Sequence, residues 1–459
     1  MRHWPPIAIN LADTGPGSVY VALPSEIANQ ELDGHRYLAE ARMRGAIGVV
    51  IDSRRLDCLP DPLIRRSIAS DTLDPLLSPP EGFLVLRVAS PLKALQEAAK
   101  GHRSQYGGRV VAITGSVGKT TTKELVTNVL ARRTSVLKTP RSYNNEASVP
   151  ATILQLSDEA WAILEFGAYR RGEISELCSI GQPHIGAVTN VGVSHLGRMG
   201  TLDNIEATKR ELVDFIPHDG TVILNSDDPR TARMSSQSSG KVITFGQDPS
   251  ATFRALDIRV GPEQTSFTLL HQDCGRSLSV PALGRHSVYA ALVACAVGVE
   301  AGLDWLDIEM GLRSALSTQR LRLLYRSNGA AVLDDTYNSA PESLRAAIDF
   351  LETFQGERIA VIGEMAELGH LYDTAHREIG QYAAKVANSI IGVGGGGRIV
   401  VQAAKAAGIA SRDVYWSADW QEAAEIAGAL AVAGTTTLVK GSRVLHLEHV
   451  IERLLDTSR

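Results

Sequence analysis

The chain has 459 residues, enough for about two to four domains, and 44% of them are hydrophobic, which leaves ample material for packed cores. A formal net charge of -5, with both signs interspersed, excludes the basic face of a nucleic-acid binder, and the widely spaced Cys58, Cys178, Cys274 and Cys295 exclude a zinc knuckle or disulfide framework. The opening Met1-Arg2-His3-Trp4 before two prolines does not read as a signal peptide, and no apolar run approaches the roughly 18 residues that span a bilayer, so a cytoplasmic chain without membrane partners is expected.

From Ser18 to about Pro91 the sequence reads as a small α/β unit: a strand over Ser18 to Leu23, an amphipathic helix starting at Asp33-Gly34-His35, and a second strand over Gly45 to Ile51. Ser90 to Tyr106 predicts a helix, with Gly107-Gly108 as a joint. Val110 to Ile113 then read as a short buried strand, Thr114 to Gly118 as a glycine-containing loop and Thr120 to Leu130 as a helix. That order aims backbone N-H groups and the positive end of a helix dipole at one place, which suits a phosphate. The candidate phosphate-binding residues are Gly115, Ser116, Val117, Gly118, Lys119, Thr120 and Thr121, with Lys119 as a point charge for the outer phosphates and the Thr120 hydroxyl for Mg²⁺.

Alternating strands and helices continue to about Leu316, which predicts a mostly parallel sheet covered on both faces, with ligands at the carboxyl ends of its strands. Tyr143-Asn144-Asn145-Glu146 is a polar cluster between apolar segments. The apolar strand from Ala160 ends on Glu165, a hard oxygen donor of the kind Mg²⁺ takes. Ile185 to Gly192 is a further strand and turn before His195, and Lys209 lies in a helix over Ile205 to Leu212. Ser266 to Val280 alternates as antiparallel strands do, and Leu283 to Tyr289 leads into an alanine-rich helix. After Ser317 a third α/β unit begins: Arg320, a strand ending at Asp334-Asp335, the loop Tyr337-Asn338, a strand over Arg358 to Gly363 leading to Glu364 to Gly369 and His376, and the strand and turn Leu438 to Arg443. Val393-Gly-Gly-Gly-Gly397 looks like a dinucleotide loop but lacks an acidic residue at the expected offset.

The shortened loop Gly115-Ser-Val-Gly-Lys-Thr-Thr121 resembles that of the Mur ligases, ATP-dependent amide-forming enzymes of peptidoglycan assembly. Thr189-Asn190 with His195-Leu196 resembles the family's second metal motif, and Asn144-Asn145-Glu146 with Val149-Pro150, Asp334-Asp335 with Tyr337-Asn338, and Glu364 to Gly369 resemble the members that add D-alanyl-D-alanine. The resemblance implies three domains in an α/β chain. These are a small N-terminal α/β domain for the UDP-linked substrate (residues 1–100), a central P-loop ATPase-like domain with a mostly parallel sheet (101–316), and a C-terminal Rossmann-like domain (317–459).

It further implies ATP with two Mg²⁺ sites, metal ligands Thr120, Glu165, His195 and a carbamylated Lys209, and Asn145 close to the triphosphate. Arg320 and Asp335 would be brought in by the third domain; with Lys119, His195 and Lys209 they form the catalytic set. The implied substrates are a UDP-linked muramoyl tripeptide and D-alanyl-D-alanine, handled by a monomer.

Three departures stand against the pattern. Asn10-Leu11-Ala12 replaces the family's uridine-contacting Asp-Ser-Arg, Gly197 replaces an acid, and His286-Ser287-Val288-Tyr289 stands where the family has a histidine followed by asparagines, one of them near the adenine; the Tyr289 ring either stacks on the base or packs into the helix interface. They keep open a Mur-like ligase for a different acid and amine, and a non-catalytic nucleotide-binding relative.

Overall fold

Every apolar side chain of the strand Arg109–Thr114 has a core to enter. Val110 and Ala112 point into one hydrophobic core and Val111 and Ile113 into another, and all four are fully buried. A strand covered on both faces carries no polar alternation, which is why it reads as an unbroken apolar run. The structure, a computed structural model, describes residues 3–28, 32–59, 67–77, 82–314 and 321–455; the candidate Arg320 lies outside the described residues.

Among the described residues the strands form three sheets. The first holds β1 (Ile7–Ala8), β2 (Val19–Val21), β3 (Gly48–Asp52), β4 (Ile68–Ala69) and β5 (Leu84–Val88), all parallel, in the order β1-β2-β3-β5-β4. The second holds β6 (Arg109–Thr114), β7 (Val136–Lys138), β8 (Trp161–Glu165), β9 (Ile185–Val188), β10 (Thr221–Asn225), β11 (Lys241–Gly246), β12 (Phe253–Val260), β13 (Thr265–His271) and β14 (Cys274–Val280). Its order is β14-β13-β12-β11-β10-β9-β6-β8-β7, parallel except for β12 to β14. The third holds β15 (Arg322–Tyr325), β16 (Ala331–Asp335), β17 (Glu357–Ile362), β18 (Ser389–Val393), β19 (Val414–Ser417) and β20 (Thr435–Lys440), in the order β15-β16-β20-β17-β18-β19 with only β15 antiparallel. The expected α/β class with a mostly parallel central sheet is what the chain forms.

The topology singles out β6. Strands β7 and β8 lie on one side of it and β9 and β10 on the other, so the strand order reverses there, and open parallel sheets bind ligands outside the carboxyl ends of strands at such a reversal. The helix Pro91–Arg103 joins the first two sheets. Ser90 caps it by accepting from the Lys93 amide, Pro91 sits in its first turn, and Leu95 and Ala99 enter the core shared by both sheets. The half-buried β13 and β14 are the antiparallel hairpin expected over Ser266 to Val280, closed by Gln272 and Asp273, whose φ values of 50° and 58° fit a two-residue turn.

Two expectations need correcting. Asp33 does not open an α-helix directly: its carboxylate caps the 3-10 turn Gly34–Tyr37 by accepting from the His35 amide, and the α-helix follows at Leu38–Met43. The glycines after Val393 are not a loop but the first turn of the helix Gly394–Ala406. A Cβ on Gly396 would stand 2.2 Å from His376 Nε2, and one on Gly397 would stand 2.5 Å from the Gly392 carbonyl carbon, so close packing accounts for them. His376 itself is buried with both ring nitrogens engaged, by the Met365 amide and the Tyr372 carbonyl. No helix of the described residues is long and apolar enough to cross a membrane.

Candidate active site

The loop after β6 is held from behind. Gly115 has φ 145°, and a Cβ there would stand 1.9 Å from Thr189 Oγ1; Gly118, at φ 86°, turns the chain into the helix Lys119–Leu130. Asn190 Oδ1, just beyond β9, accepts from the Ser116 and Val117 amides at 3.0 and 2.9 Å, while Thr189 Oγ1 donates to the Val117 carbonyl at 2.6 Å. The Ser116 hydroxyl bonds the Gly192 carbonyl. Asn190 therefore occupies two of the loop amides that the sequence offered to phosphate. The helix's first turn, Lys119 to Thr121, lines a cleft and turns the positive end of its dipole towards it. Lys119 Nζ folds back over the loop, donating to the Gly115 carbonyl at 2.8 Å.

Glu165 closes β8 one strand away. It is 1% exposed, its Oε1 accepts from Asn144 Nδ2 at 2.8 Å, and its buried Oε2 accepts no hydrogen bond, standing 3.5 Å from Lys123 Nζ. The Thr120 hydroxyl contacts Ser142 Oγ at 3.2 Å. Of the two adjacent asparagines it is Asn144 that reaches Glu165. Asn145 is committed elsewhere: its Oδ1 accepts from the Ala147 and Ser148 amides and its Nδ2 donates to the Ile27 carbonyl of the first sheet's region.

His195 adopts a left-handed backbone (φ 64°) at the head of the short helix Leu196–Met199, and its Nδ1 meets the Glu367 carboxylate. Burial holds its imidazole below the ordinary range, outweighing the opposite pull of Glu367. Lys209, on the helix Leu202–Phe215, is 3% exposed and has no hydrogen bond or ion pair among the described residues. Burial, reinforced by the Lys119 charge, lowers its pKa to about 7.

From the third sheet, Asp335 and Lys440 end the neighbouring strands β16 and β20 in register, and Lys440 Nζ, in a side chain 2% exposed, donates to Asp335 Oδ2 at 2.6 Å. Tyr289 donates to Asp227 Oδ2 at 2.8 Å, accepts from Gln247 Nε2, and sets its ring edge-on to Phe245 at 6.4 Å. These contacts hold the ring at the wall of the cleft. All of Ser116, Val117, Gly118, Lys119, Thr120, Thr121, Asn145, Glu165, His195, Lys209, Tyr289 and Asp335 line one cleft of about 780 Å³, with Gly115 directly behind it. Asn10 and Ile27 from the first region and Lys440 and Ser442 from the third line it too.

Residues 113–298 match the model of the Mur ligase middle domain and residues 319–443 that of the Mur ligase glutamate ligase domain. The UDP-N-acetylmuramoyl-tripeptide--D-alanyl-D-alanine ligase of Mycobacterium bovis is 34% identical over 84% of this chain and 76% of its own length. The chain belongs to the Mur ligase family. It is therefore an ATP-dependent ligase. The Escherichia coli enzyme of the same name is 32% identical over 81% of this chain and 77% of its own. Among solved structures, MurF from Acinetobacter baumannii superposes with a TM-score of 0.81 at 27% identity, covering 98% of this chain and 93% of that one. MurF ligase from Thermotoga maritima in complex with ADP gives 0.77 at 25% identity, covering 98% and 96%.

Set against the family pattern, the departure at Asn10 is filled by local structure. Asn10 Oδ1 caps a 3-10 turn at the Asp13 amide, and its Nδ2 donates to Asp13 Oδ2 and, at 3.1 Å, to Tyr143 Oη. Asn190, Asn144, Lys440 and Glu367 lie in segments that resemble the family's motifs, but no sequence pattern assigns any of them its particular bonds to Ser116 and Val117, Glu165, Asp335 and His195.

Proposed function

We propose that this chain joins D-alanyl-D-alanine to UDP-N-acetylmuramoyl-tripeptide with conversion of ATP to ADP and phosphate, a step in peptidoglycan precursor assembly. One observation carries the reading: a phosphate loop, a buried carboxylate and a buried lysine of lowered pKa meet groups from both other sheets in one cleft. The relatives' names supply the substrates. Residues 1–100 hold the uridine nucleotide, 101–316 the ATP, and 317–459 close over both. The reaction is cytoplasmic and the enzyme works as a monomer.

A carboxylate oxygen is a poor leaving group, so amide formation needs activation. The tripeptide's terminal carboxylate attacks the γ-phosphorus and ADP departs. The amine then adds to the acyl carbon and phosphate leaves from the tetrahedral intermediate. The protein's work is positioning and charge neutralisation. Lys119 and the helix's first turn bind the outer phosphates. Arg320 and Asp335 approach with the closing third domain, and Asn145 acts at a distance by fixing the Tyr143–Ser148 turn to the first domain.

The donor set fits magnesium: a hydroxyl on Thr120, a buried carboxylate oxygen on Glu165 with no hydrogen-bond partner, and the neutral imidazole of His195. These residues would hold it with carbamylated Lys209, and the ion would neutralise charge on the transferring phosphoryl group. Carbamylation requires an unprotonated amine, and burial supplies one at Lys209 near neutral pH.

Phosphate release tests the reading. Turnover with UDP-N-acetylmuramoyl-tripeptide and D-alanyl-D-alanine, abolished in Lys119→Ala, is the expected result. Release only with other acid and amine pairs refutes the substrates, and ATP binding without any turnover refutes the enzyme.

A further inference from the structure

Beside the apolar packing of Val260 and Leu283 against the third sheet's core, the hydrogen bonds between the two regions, among the described residues, gather on one turn. Val193 to Met199, which carries His195, is gripped twice from the third-sheet side: Glu342 Oε1 accepts from the Val193 amide at 3.1 Å, and the Glu367 carbonyl accepts from the Gly197 amide at 2.7 Å. The second grip depends on the bare Gly197. A Cβ there would stand 3.2 Å from both the Glu367 oxygen and the Gly369 amide nitrogen, and one on Gly369 would stand 2.9 Å from Gly197 Cα. The two backbones meet because neither has a side chain at the crossing.

That approach delivers a carboxylate. Glu367 takes a left-handed backbone (φ 62°), as does His195 (φ 64°), a conformation that costs a non-glycine residue free energy and collects at functional sites. The Glu367 carboxylate bonds His195 Nδ1 and stands 3.3 Å from Arg198 Nε. Arg198 in turn covers the Tyr169 ring at 4.5 Å, and Tyr169 packs edge-on to His195 with centroids 4.7 Å apart. The imidazole is thus fixed in its plane by an aromatic wall from its own domain and by an acid from the other. With Nδ1 engaged, Nε2 is the nitrogen left to the cleft. A carboxylate on one ring nitrogen is the arrangement that fixes tautomer and raises basicity when the other nitrogen takes a metal.

We propose that Glu367 is a positioning residue that orients His195 across the domain boundary, so that divalent-cation affinity depends on closure of the third domain. This rests on the reading of His195 as a metal ligand. The test is Mn²⁺ binding to the ADP-loaded full-length chain by electron paramagnetic resonance, beside a fluorescence distance between labels on the central and third domains. Glu367→Ala is expected to weaken Mn²⁺ about ten- to a hundred-fold, to reduce closure on adding ADP with Mn²⁺, and to leave metal-free ADP affinity within about two-fold of the unmodified chain. Glu367→Gln keeps an acceptor for Nδ1 without the charge and should lose about three-fold or more; it carries the test alone if the alanine variant does not fold. Mn²⁺ affinity within two-fold in the Glu367 variants, while His195→Ala weakens it, overturns the proposal and spares the ligand reading. Unchanged affinity in His195→Ala overturns both.

Discussion

Gly115→Ala should damage nucleotide binding out of proportion to the single methyl it adds. Two costs can be read from the structure. At φ 145° an L-residue occupies backbone space that is nearly glycine's alone, worth about 1–3 kcal/mol. The new Cβ would also stand 1.9 Å from Thr189 Oγ1, so Thr189 must rotate and give up its bond to the Val117 carbonyl, worth about 0.5–1.5 kcal/mol. Together they reach about 1.5–4.5 kcal/mol, or about ten- to a thousand-fold in ADP affinity if the loop relaxes when empty and must be restored on binding. If the loop does not relax, the same cost appears as a lower melting temperature.

Isothermal titration with ADP and thermal melting of the same samples separate the two cases. Thr189→Ala in the Gly115→Ala background removes the offending oxygen and should return part of the affinity, whereas Thr189→Ala alone should weaken binding slightly. Neither affinity nor melting temperature moving in Gly115→Ala refutes the claim that Thr189 and Gly115 shape the loop together.

Lys209 makes activity and stability depend on pH in opposite senses to a surface lysine. Its folded pKa is near 7 against an ordinary 10.5, so between those values the unfolded chain binds more protons, and stability rises with pH across that window. Below pH 7 the cost is fully present, so Lys209→Met should be more stable there by on the order of 4 kcal/mol in denaturant unfolding, while losing turnover. Unmodified enzyme should lose phosphate release below about pH 7 as the amine protonates, and Lys209→Ala should be partly rescued by small carboxylic acids. Lys440→Met removes the buried cation that donates to Asp335 Oδ2 and should cost about 3–5 kcal/mol in the same unfolding assay, of which Asp335→Asn in addition should recover a large part.

The sequence revealed those parts of the site that single segments determine. Strand, glycine turn and helix are contiguous from Arg109 to Leu130, so the loop announces itself. Glu165 is the polar residue that ends an apolar strand, whereas Lys209 reads from its helix alone as a solvated charge and is singled out only by the family resemblance. What stayed hidden depends on partners far along the chain. Asn190 matters because it meets Ser116, Lys440 because it faces Asp335, and Glu367 because it crosses to His195. The exchange of roles between Asn144 and Asn145 is invisible for the same reason. Adjacent residues in a turn point apart, and only the fold decides that Nδ2 of one finds Glu165 and that of the other finds Ile27. The glycines after Val393 resemble a nucleotide loop because close helix packing and such a loop both call for residues without side chains, and the missing acidic residue is the sign against it.

The division of bonds also bears on the order of events. Among the described residues, the bonds that shape the phosphate loop come from the central region itself: Thr189 and Asn190 follow the strand next to β6, and Gly192 comes after them. The bonds that set that loop, among the described residues, do not come from the third sheet's region, which supplies the Asp335–Lys440 pair and the two grips on the His195 turn. On the proposed function, a nucleotide site built within one domain would be ready before closure, whereas the groups around the transferring phosphoryl would be complete only after it. An acyl phosphate exposed to water would hydrolyse, so chemistry that waits for the third domain is protected by the same movement that completes the site.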